Sequence, residues 1–299
     1  MSLLIVGTTA LDSIKTPRAE QPRLLGGSGS FAAVAASPFT RVHLVGVVGQ
    51  DFPARYLRLY RRHGIDLAAL NRAPGPTFHW SGEYGANMNE RRTLHTELGV
   101  LEHFSPELPP AHRRLPYVLL ANIAPEIQLR VLDQMQHPRF VMADTMDLWL
   151  NIAMPALRKL LRRVDALVLN EGEARQLAGE DNLIAALGRL HRFGPRFVIV
   201  KKGEHGAILS GPSGLFLAPA FPVGRLVDPT GAGDSFAGAL MGYVASRGGV
   251  PEKSLRAAIL HGSAAASICC EGFGLRKLAG ISRTDIVRRV RELRRITAW

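Results

Sequence analysis

Short apolar runs alternate along the chain with longer stretches in which apolar positions recur every three or four residues. Leu3–Val6, Val42–Val48, Tyr117–Leu120, Phe140–Met142, Ala166–Leu169, Phe197–Val200 and Ala207–Leu209 are rich in Val, Ile and Leu. Runs without polar alternation are what strands buried on both faces require. Helical spacing between them predicts helices over Phe31–Ala36, Ala54–His63, Glu126–Met135, Ala156–Val164, Glu171–Ala178 and Asn182–Phe193. Strands alternating with helices imply a mainly parallel sheet covered on both sides. Right-handed crossovers then make it a doubly wound α/β fold.

One region departs from this rhythm. Between Thr77 and Leu101, apolar and polar residues alternate around Phe78, Trp80 and Tyr84, with Gly82 and Gly85 as turn punctuation. That pattern predicts a small antiparallel patch, either a lid over an active site or an edge hairpin. No internal repeat or low-complexity linker divides the chain, so residues 1–299 read as one domain.

Composition narrows the class. Hydrophobic residues make up 46% and charged residues 21%, which excludes a disordered, collagen-like or coiled-coil chain. The two cysteines, Cys269 and Cys270, are adjacent and can form neither a disulfide framework nor a zinc site; they read as small buried side chains in a reducing compartment. The net charge of +12 comes mostly from Arg scattered over helical stretches, without a block of like charge or interleaved aromatics. A solvated basic surface is therefore expected rather than a nucleic-acid footprint. No apolar stretch reaches the roughly 20 residues of a membrane span, and Met1–Gly7 has no basic leader region. A cytoplasmic protein with no membrane partner is expected.

The most informative stretch is Val227-Asp228-Pro229-Thr230-Gly231-Ala232-Gly233-Asp234-Ser235-Phe236-Ala237-Gly238. Pro229 and the small residues after it favour an irregular turn. Phe236, Leu240, Tyr243 and Val244 then recur at helical spacing. The first N–H groups of such a helix lack intrahelical acceptors and carry the positive end of its dipole. Gly231, Ala232 and Gly233 put no bulk in front of them, so an anion can sit there. Asp234, in the first turn, either caps the helix or accepts a proton from a hydroxyl beside that anion.

The string Asp228–Phe236 resembles the C-terminal signature of the ribokinase-like carbohydrate kinases, the PfkB family. Gly26-Gly27-Ser28-Gly29, with Val45–Asp51 after an Ala-rich helix, is similar to the family's N-terminal signature. Asn170-Glu171-Gly172-Glu173 resembles its Asn-x-x-Glu motif, and Lys201–Gly206 its nucleotide-binding loop. The resemblance runs from Leu3 to about Gly274 and implies a ribokinase-like fold. It implies transfer of the γ-phosphoryl group of ATP to a primary hydroxyl of a sugar, or alternatively of a nucleoside. By the same resemblance Asp234 would be the general base, and Gly231, Ala232 and Gly233 the anion hole. Asn170 and Glu173 would hold Mg2+, mostly through water, a cation that keeps several of its waters. Asn170, Lys201, Gly203, Gly206, Gly262 and Gly274 would line the nucleotide site. Asp12, Gly26, Gly27 and Phe31 would meet the acceptor, and Asp228 and Thr230 lie where some members bind K+. Parts of about 12–25 and 77–101 would form the lid, which often also serves as a homodimer contact.

Two departures bear on the acceptor. Phe31 stands where sugar kinases commonly carry Asn, and Ala143-Asp144-Thr145-Met146-Asp147-Leu148-Trp149 replaces an Asp-Pro-Asn-x-Arg pattern. With Phe78 and Trp80, these bring aromatic rings that can stack on a nucleobase or simply fill the core. A catalytically silent nucleotide-binding regulator on the same fold is the reading from another class. Gly27-Ser28-Gly29-Ser30-Phe31-Ala32 fits a dinucleotide fingerprint in letters only, because the first strand ends some twenty residues earlier. A P-loop is excluded, since the chain has no Gly-Lys dipeptide.

Overall fold

The structure is a computed structural model that describes residues 1–249 and 252–298. Nine strands form one sheet in the order β13-β12-β11-β10-β9-β8-β1-β4-β5. They are β1 (Ser2–Val6), β4 (Arg41–Val48), β5 (Asp66–Arg72), β8 (Tyr117–Leu120), β9 (Phe140–Asp144), β10 (Ala166–Asn170), β11 (Phe197–Lys201), β12 (Ala207–Gly211) and β13 (Gly214–Ala218). From β5 to β11 every pairing is parallel, while β12 and β13 add to the edge antiparallel.

Alternation along β1 shows why the runs are apolar throughout. Leu3 and Ile5 enter one core, and Leu4 and Val6 enter the other. The first core lies under α1 (Ser28–Ala36), α2 (Ala54–Arg62), α8 (Ala232–Arg247), α9 (Glu252–Cys269) and α10 (Arg283–Thr297). The second lies under α3 (Pro125–Gln134), α5 (Met154–Leu161), α6 (Glu171–Ala178) and α7 (Leu183–His191), with the short α4 (Asp147–Ile152) beside them. Each fully buried Leu, Ile or Val contributes roughly 1.5–3 kcal/mol. Among the described residues no helix is long and apolar enough to cross a membrane.

The departure from parallel rhythm is a second sheet, in the order β3-β2-β6-β7. It joins β2 (Ala10–Thr16) and β3 (Ala19–Gly26) to β6 (His79–Tyr84) and β7 (Arg91–Glu97). Two of its three pairings are antiparallel, and the third, β2 with β6, is parallel. The glycine pattern at 27–32 does follow a strand directly, since β3 ends at Gly26 and α1 opens at Ser28, but β3 pairs antiparallel in the second sheet and so is no part of a parallel dinucleotide unit.

Strands β2, β3, β5 and β13 were not legible as apolar runs. β3, β5 and β13 carry mostly exposed or half-exposed positions because each lies at a sheet edge, while β2 is largely buried but interrupted by the polar Asp12, Ser13 and Lys15. Of the cysteines, Cys269 is buried and Cys270 is half-buried, and both are free.

Helices α1 and α8 approach closely through glycine. A Cβ on Gly238 would lie 2.2 Å from the Ala32 carbonyl oxygen, a backbone atom that cannot step aside alone. Gly188, in the middle of α7, faces open space. Gly238→Ala should therefore destabilise the protein by about 1–3 kcal/mol, whereas Gly188→Ala should stabilise it by about 0.5–1 kcal/mol. Urea denaturation of the two variants checks both signs.

Candidate active site

The C-terminal ends of the parallel strands converge on the N-terminus of α8. Asp144 ends β9, Asn170 ends β10, Lys201 ends β11, and Asp234 lies in the first turn of α8. Ligands in open α/β sheets bind at this edge. Gly231 takes the N-cap position with φ 76°, and α8 has no side-chain cap. Asp234 therefore does not serve as the N-cap residue. The N–H of Ala232 is given to Pro229, while Gly233 and Asp234 find no backbone carbonyl acceptor. Two donors at a helix N-terminus thus remain for an anion.

Lys201 occupies the middle of the cluster. Its Nζ lies 3.1 Å from Asp144 Oδ2, and a Cβ on Gly233 would fall 3.1 Å from that same Nζ. Glycine at 233 leaves the ammonium close against the helix end, where a Cβ would make it give by a few tenths of an ångström. Burial alone would depress the lysine, but Asp144, Glu173 and Asp234 outweigh it and raise its pKa. Asp234 is pushed up to about 6, first by burial and then by Asp144, against the pull of Lys201 and Arg91. Burial likewise raises Asp144, with Lys201 opposing.

Asn170 and Glu173 form a reciprocal capping box at the start of α6. The Asn170 N–H donates to Glu173 Oε2 at 2.7 Å, and the Glu173 N–H donates to Asn170 Oδ1 at 2.8 Å. Glu173 is raised to about 7 by burial, with Lys201 lowering it and Asp144 raising it. The motif is thus a helix start as well as an edge of the acidic cluster.

Asp12, on β2, is the second arm. It is 4% exposed, and its Oδ2 accepts from the Gly27 N–H at 3.3 Å. A Cβ on Gly26 would fall 1.8 Å from that carboxylate oxygen, so Gly26 is bare because Asp12 packs on it. Burial pushes Asp12 up to about 7, with Asp234 and Asp228 adding to the rise.

Other expected residues are placed differently. Phe31 is 1% exposed, and its ring lies under Gly231, 2.4 Å from where a Cβ would stand. It therefore shapes the anion-hole turn from the core and offers no face to an acceptor. Gly262 is buried in α9, with a would-be Cβ 2.8 Å from the Phe236 carbonyl oxygen, so it serves helix packing rather than a nucleotide wall. Gly274 donates its N–H to Asp228 Oδ2 at 2.9 Å, and Thr230 donates to Asp228 Oδ1 at 2.9 Å. Asp228, fully buried, ties the anion-hole turn to the 270s segment. Gly206 has φ 90° and a would-be Cβ 2.0 Å from the Ala218 carbonyl oxygen, closing the β11–β12 turn. Gly203 lies in that turn, opposite Asn89.

The second sheet reaches this cluster at three points. Thr230 Oγ1 donates to Tyr84 Oη at 3.0 Å, Asn89 Nδ2 donates to Glu204 at 3.3 Å, and Arg91 lies 3.5 Å from Asp147. Burial raises the Tyr84 phenol to about 12, against the hydrogen bond from Thr230. Asp144, Arg91 and Tyr84 were not singled out from the sequence. Asp144 had a signal, an acidic residue ending an apolar run. Arg91 had none, being one of many scattered arginines.

The geometry thus gathers free helix N–H groups, a lysine and a cluster of carboxylates at the ligand-binding edge of an α/β sheet. The profile of the pfkB family carbohydrate kinases matches residues 16–279, and the chain belongs to that family of sugar and nucleoside kinases. Its relatives include a cytidine kinase of Thermococcus kodakarensis, 29% identical over 266 residues, covering 86% of this chain and 92% of that one. A deoxyribokinase of Salmonella typhimurium is 30% identical over 248 residues, 79% of each chain. The nucleoside kinase of Methanocaldococcus jannaschii, an archaeal member of the ribokinase family, shares the fold with a TM-score of 0.78 at 21% identity, over 97% of this chain and 98% of that one.

The folded chain holds the Asp12 proton up to about pH 7, far above its ordinary value of 3.8. Between those values the folded state binds more protons than the unfolded one, so this group makes stability fall as pH rises. Asp12→Asn should therefore be more stable than the unsubstituted protein at pH 8, on the order of 2 kcal/mol, and should lose that advantage near pH 4. Chemical denaturation at the two pH values checks it.

Proposed function

We propose that the chain is an ATP-dependent kinase that phosphorylates the primary hydroxyl of a nucleoside, with Asp234 as general base. The observation that carries the reading is Asp234 on the uncapped N-terminus of α8, beside Lys201. A carboxylate with a pKa of about 6 is largely ionised at neutral pH, yet basic enough to take a hydroxyl proton. The N–H groups of Gly233 and Asp234 face the place where charge grows on the transferring phosphoryl group, and Lys201 adds a fixed cation there. ATP would lie along the edge from Lys201 and Gly203 towards this hole. Tyr84, Asn89 and Arg91 bring the second sheet down on it as a lid that excludes water. β7, exposed along its whole length with Leu94 47% exposed, is the lid face that a homodimer would use.

Mg2+ suits the donor set. Asp144, Glu173 and Asp234 surround Lys201, and burial raises the pKa of all three, so a hydrated cation would relieve their repulsion. Glu173 and Asn170 would meet it through water, since one oxygen of each is engaged in the capping box. When bound, the ion neutralises the charge of the phosphate tail. A K+ ion beside Asp228 and Thr230 would act on the tie that holds the anion-hole turn, and dependence of activity on KCl reports it.

A nucleoside is favoured over a free sugar by Trp80. This residue pairs with Asp12 across β2 and β6, and its indole lies over Gly82, where a Cβ would fall 2.2 Å from the ring. An aromatic ring beside a hydroxyl-binding carboxylate offers a base something to stack on while Asp12 accepts from the ribose. The identity to a cytidine kinase supports the same acceptor class.

Release of ADP from MgATP should depend on a nucleoside when nucleosides, pentoses and hexoses are compared. Asp234→Asn should lower kcat at least about 100-fold with ATP binding retained; an unchanged kcat would remove the base from the reading. In the unsubstituted enzyme kcat/KM should rise with pH through about 6, because the base works unprotonated. Trp80→Ala should raise KM for the nucleoside by roughly 10- to 100-fold, the range expected for loss of one base-stacking contact, and leave kcat much less affected. Steady-state assays with a free pentose as comparison separate stacking from general damage.

A further inference from the structure

On the opposite edge of the main sheet, at the N-terminal ends of its strands, three metal-ligating side chains meet outside the kinase site. His43 stands on β4, Asp66 opens β5 as its direct register partner, and His112 comes from the 3-10 turn His112–Arg114 that leads into β8. His43 Nδ1 lies 3.1 Å from His112 Nε2, 3.5 Å separates His43 Nδ1 from Asp66 Oδ2, and 3.8 Å separates His112 Nε2 from Asp66 Oδ1. Both rings are buried, at 8% and 4% exposure. We propose that His43, Asp66 and His112 form a binding site for a divalent transition-metal ion of the zinc type, which pins β4, β5 and the turn before β8 together.

The spacing fits such an ion. Zinc bonds of about 2.0–2.2 Å to nitrogen and oxygen put neighbouring tetrahedral donors about 3.4 Å apart, and the three separations bracket that value. Two imidazoles with one carboxylate form a borderline donor set that suits Zn2+ better than Mg2+ or Ca2+. A ligating imidazole must be unprotonated. The 3.1 Å contact between His43 Nδ1 and His112 Nε2 is a hydrogen bond in which one ring donates, so the ion would displace that shared proton, which is released or moves to the ring's other nitrogen. Asp66 supplies the carboxylate, its Oδ1 also accepting from the Ala68 N–H at 2.9 Å. Its side chain is 21% exposed, which leaves an entry path and a place for water as fourth ligand.

Two features set the affinity. Arg41 reaches Asp66 Oδ2 at 3.5 Å, but its side chain is 67% exposed and can swing away into solvent. Nδ1 of His112 has no hydrogen-bond partner among the described residues. A ligating histidine usually gives its second N–H to an acceptor, and loss of such support costs about 10- to 100-fold in affinity. Binding in the micromolar range, weaker than in a fully supported site, is therefore expected.

The test uses the full chain, stripped with chelator, without nucleotide. Titration with Zn2+ should show one site per chain that is lost in both His43→Gln and His112→Gln, and Zn2+ should raise Tm by several degrees in the unsubstituted protein alone. Co2+ should give the intense visible d–d absorption of a tetrahedral ion, without a thiolate charge-transfer band. Asp66→Asn, nearly isosteric, guards against a histidine variant that fails to fold and should weaken binding at least 10-fold. His79→Gln, in the exposed His79, His95 and Glu97 group of the second sheet, should change nothing. No site of micromolar affinity, a site insensitive to these three residues, one lost with His79, or a thiolate band from Cys269 or Cys270 would each overturn the proposal.

Discussion

One buried ammonium group organises the working edge of this protein. Lys201 stands among Asp144, Glu173 and Asp234, on four different elements, and its charge is what allows three carboxylates to share so small a volume. Without it, burial and mutual repulsion would drive their protons on, and the cluster would lose its charge. The lysine also determines what its neighbours can be. A side chain at Gly233 would crowd Nζ, and α8 begins with an uncapped turn that leaves the helix end open.

The same economy of side chains recurs around the site. Gly26 is bare so that Asp12 can pack against the start of α1, and Gly231 is bare above the Phe31 ring. Gly231 also needs its left-handed backbone, with φ 76°, to turn the chain into α8. Asp228 then ties that turn to the segment after α9 through two backbone N–H groups. The turn that opens α8 is therefore held by the Phe31 ring, by the Asp228 carboxylate and by Tyr84 of the second sheet. Each support comes from a different part of the chain, so the turn is fixed by its surroundings although its own residues are small.

Most of the main sheet was legible because central parallel strands are apolar on both faces, and β1, β8, β10 and β11 differ from the expected runs by at most one residue. The edges were not legible. β5 and β13 are exposed or half-exposed except for one buried position each, and their pairing partners rather than their own residues make them strands. The Asp228–Phe236 string could be read because its chemistry is local: a small-residue turn, a helix start and a carboxylate within a few positions. Asp144 and Arg91 act on that string from far away in sequence, 90 and 143 residues before Asp234; an acidic end to an apolar run marks the first, and no local pattern marks the second.

Phe31 shows the same division in one residue. Sequence could say that an aromatic ring replaces an amide near the glycine pair, and that an acceptor pocket would change as a result. Only the packed structure places the ring beneath Gly231, where it is core. Trp80, equally aromatic, lies beside Asp12 on the second sheet. Periodicity and short motifs by themselves determined the doubly wound class, the family resemblance and the local anion hole, because those depend on residues within a turn or a strand of one another. Which carboxylates gather around Lys201, which aromatic ring lies beside Asp12 and which is core, and the meeting of His43, Asp66 and His112 depend on strand order and register, and those are settled only when distant segments pack together.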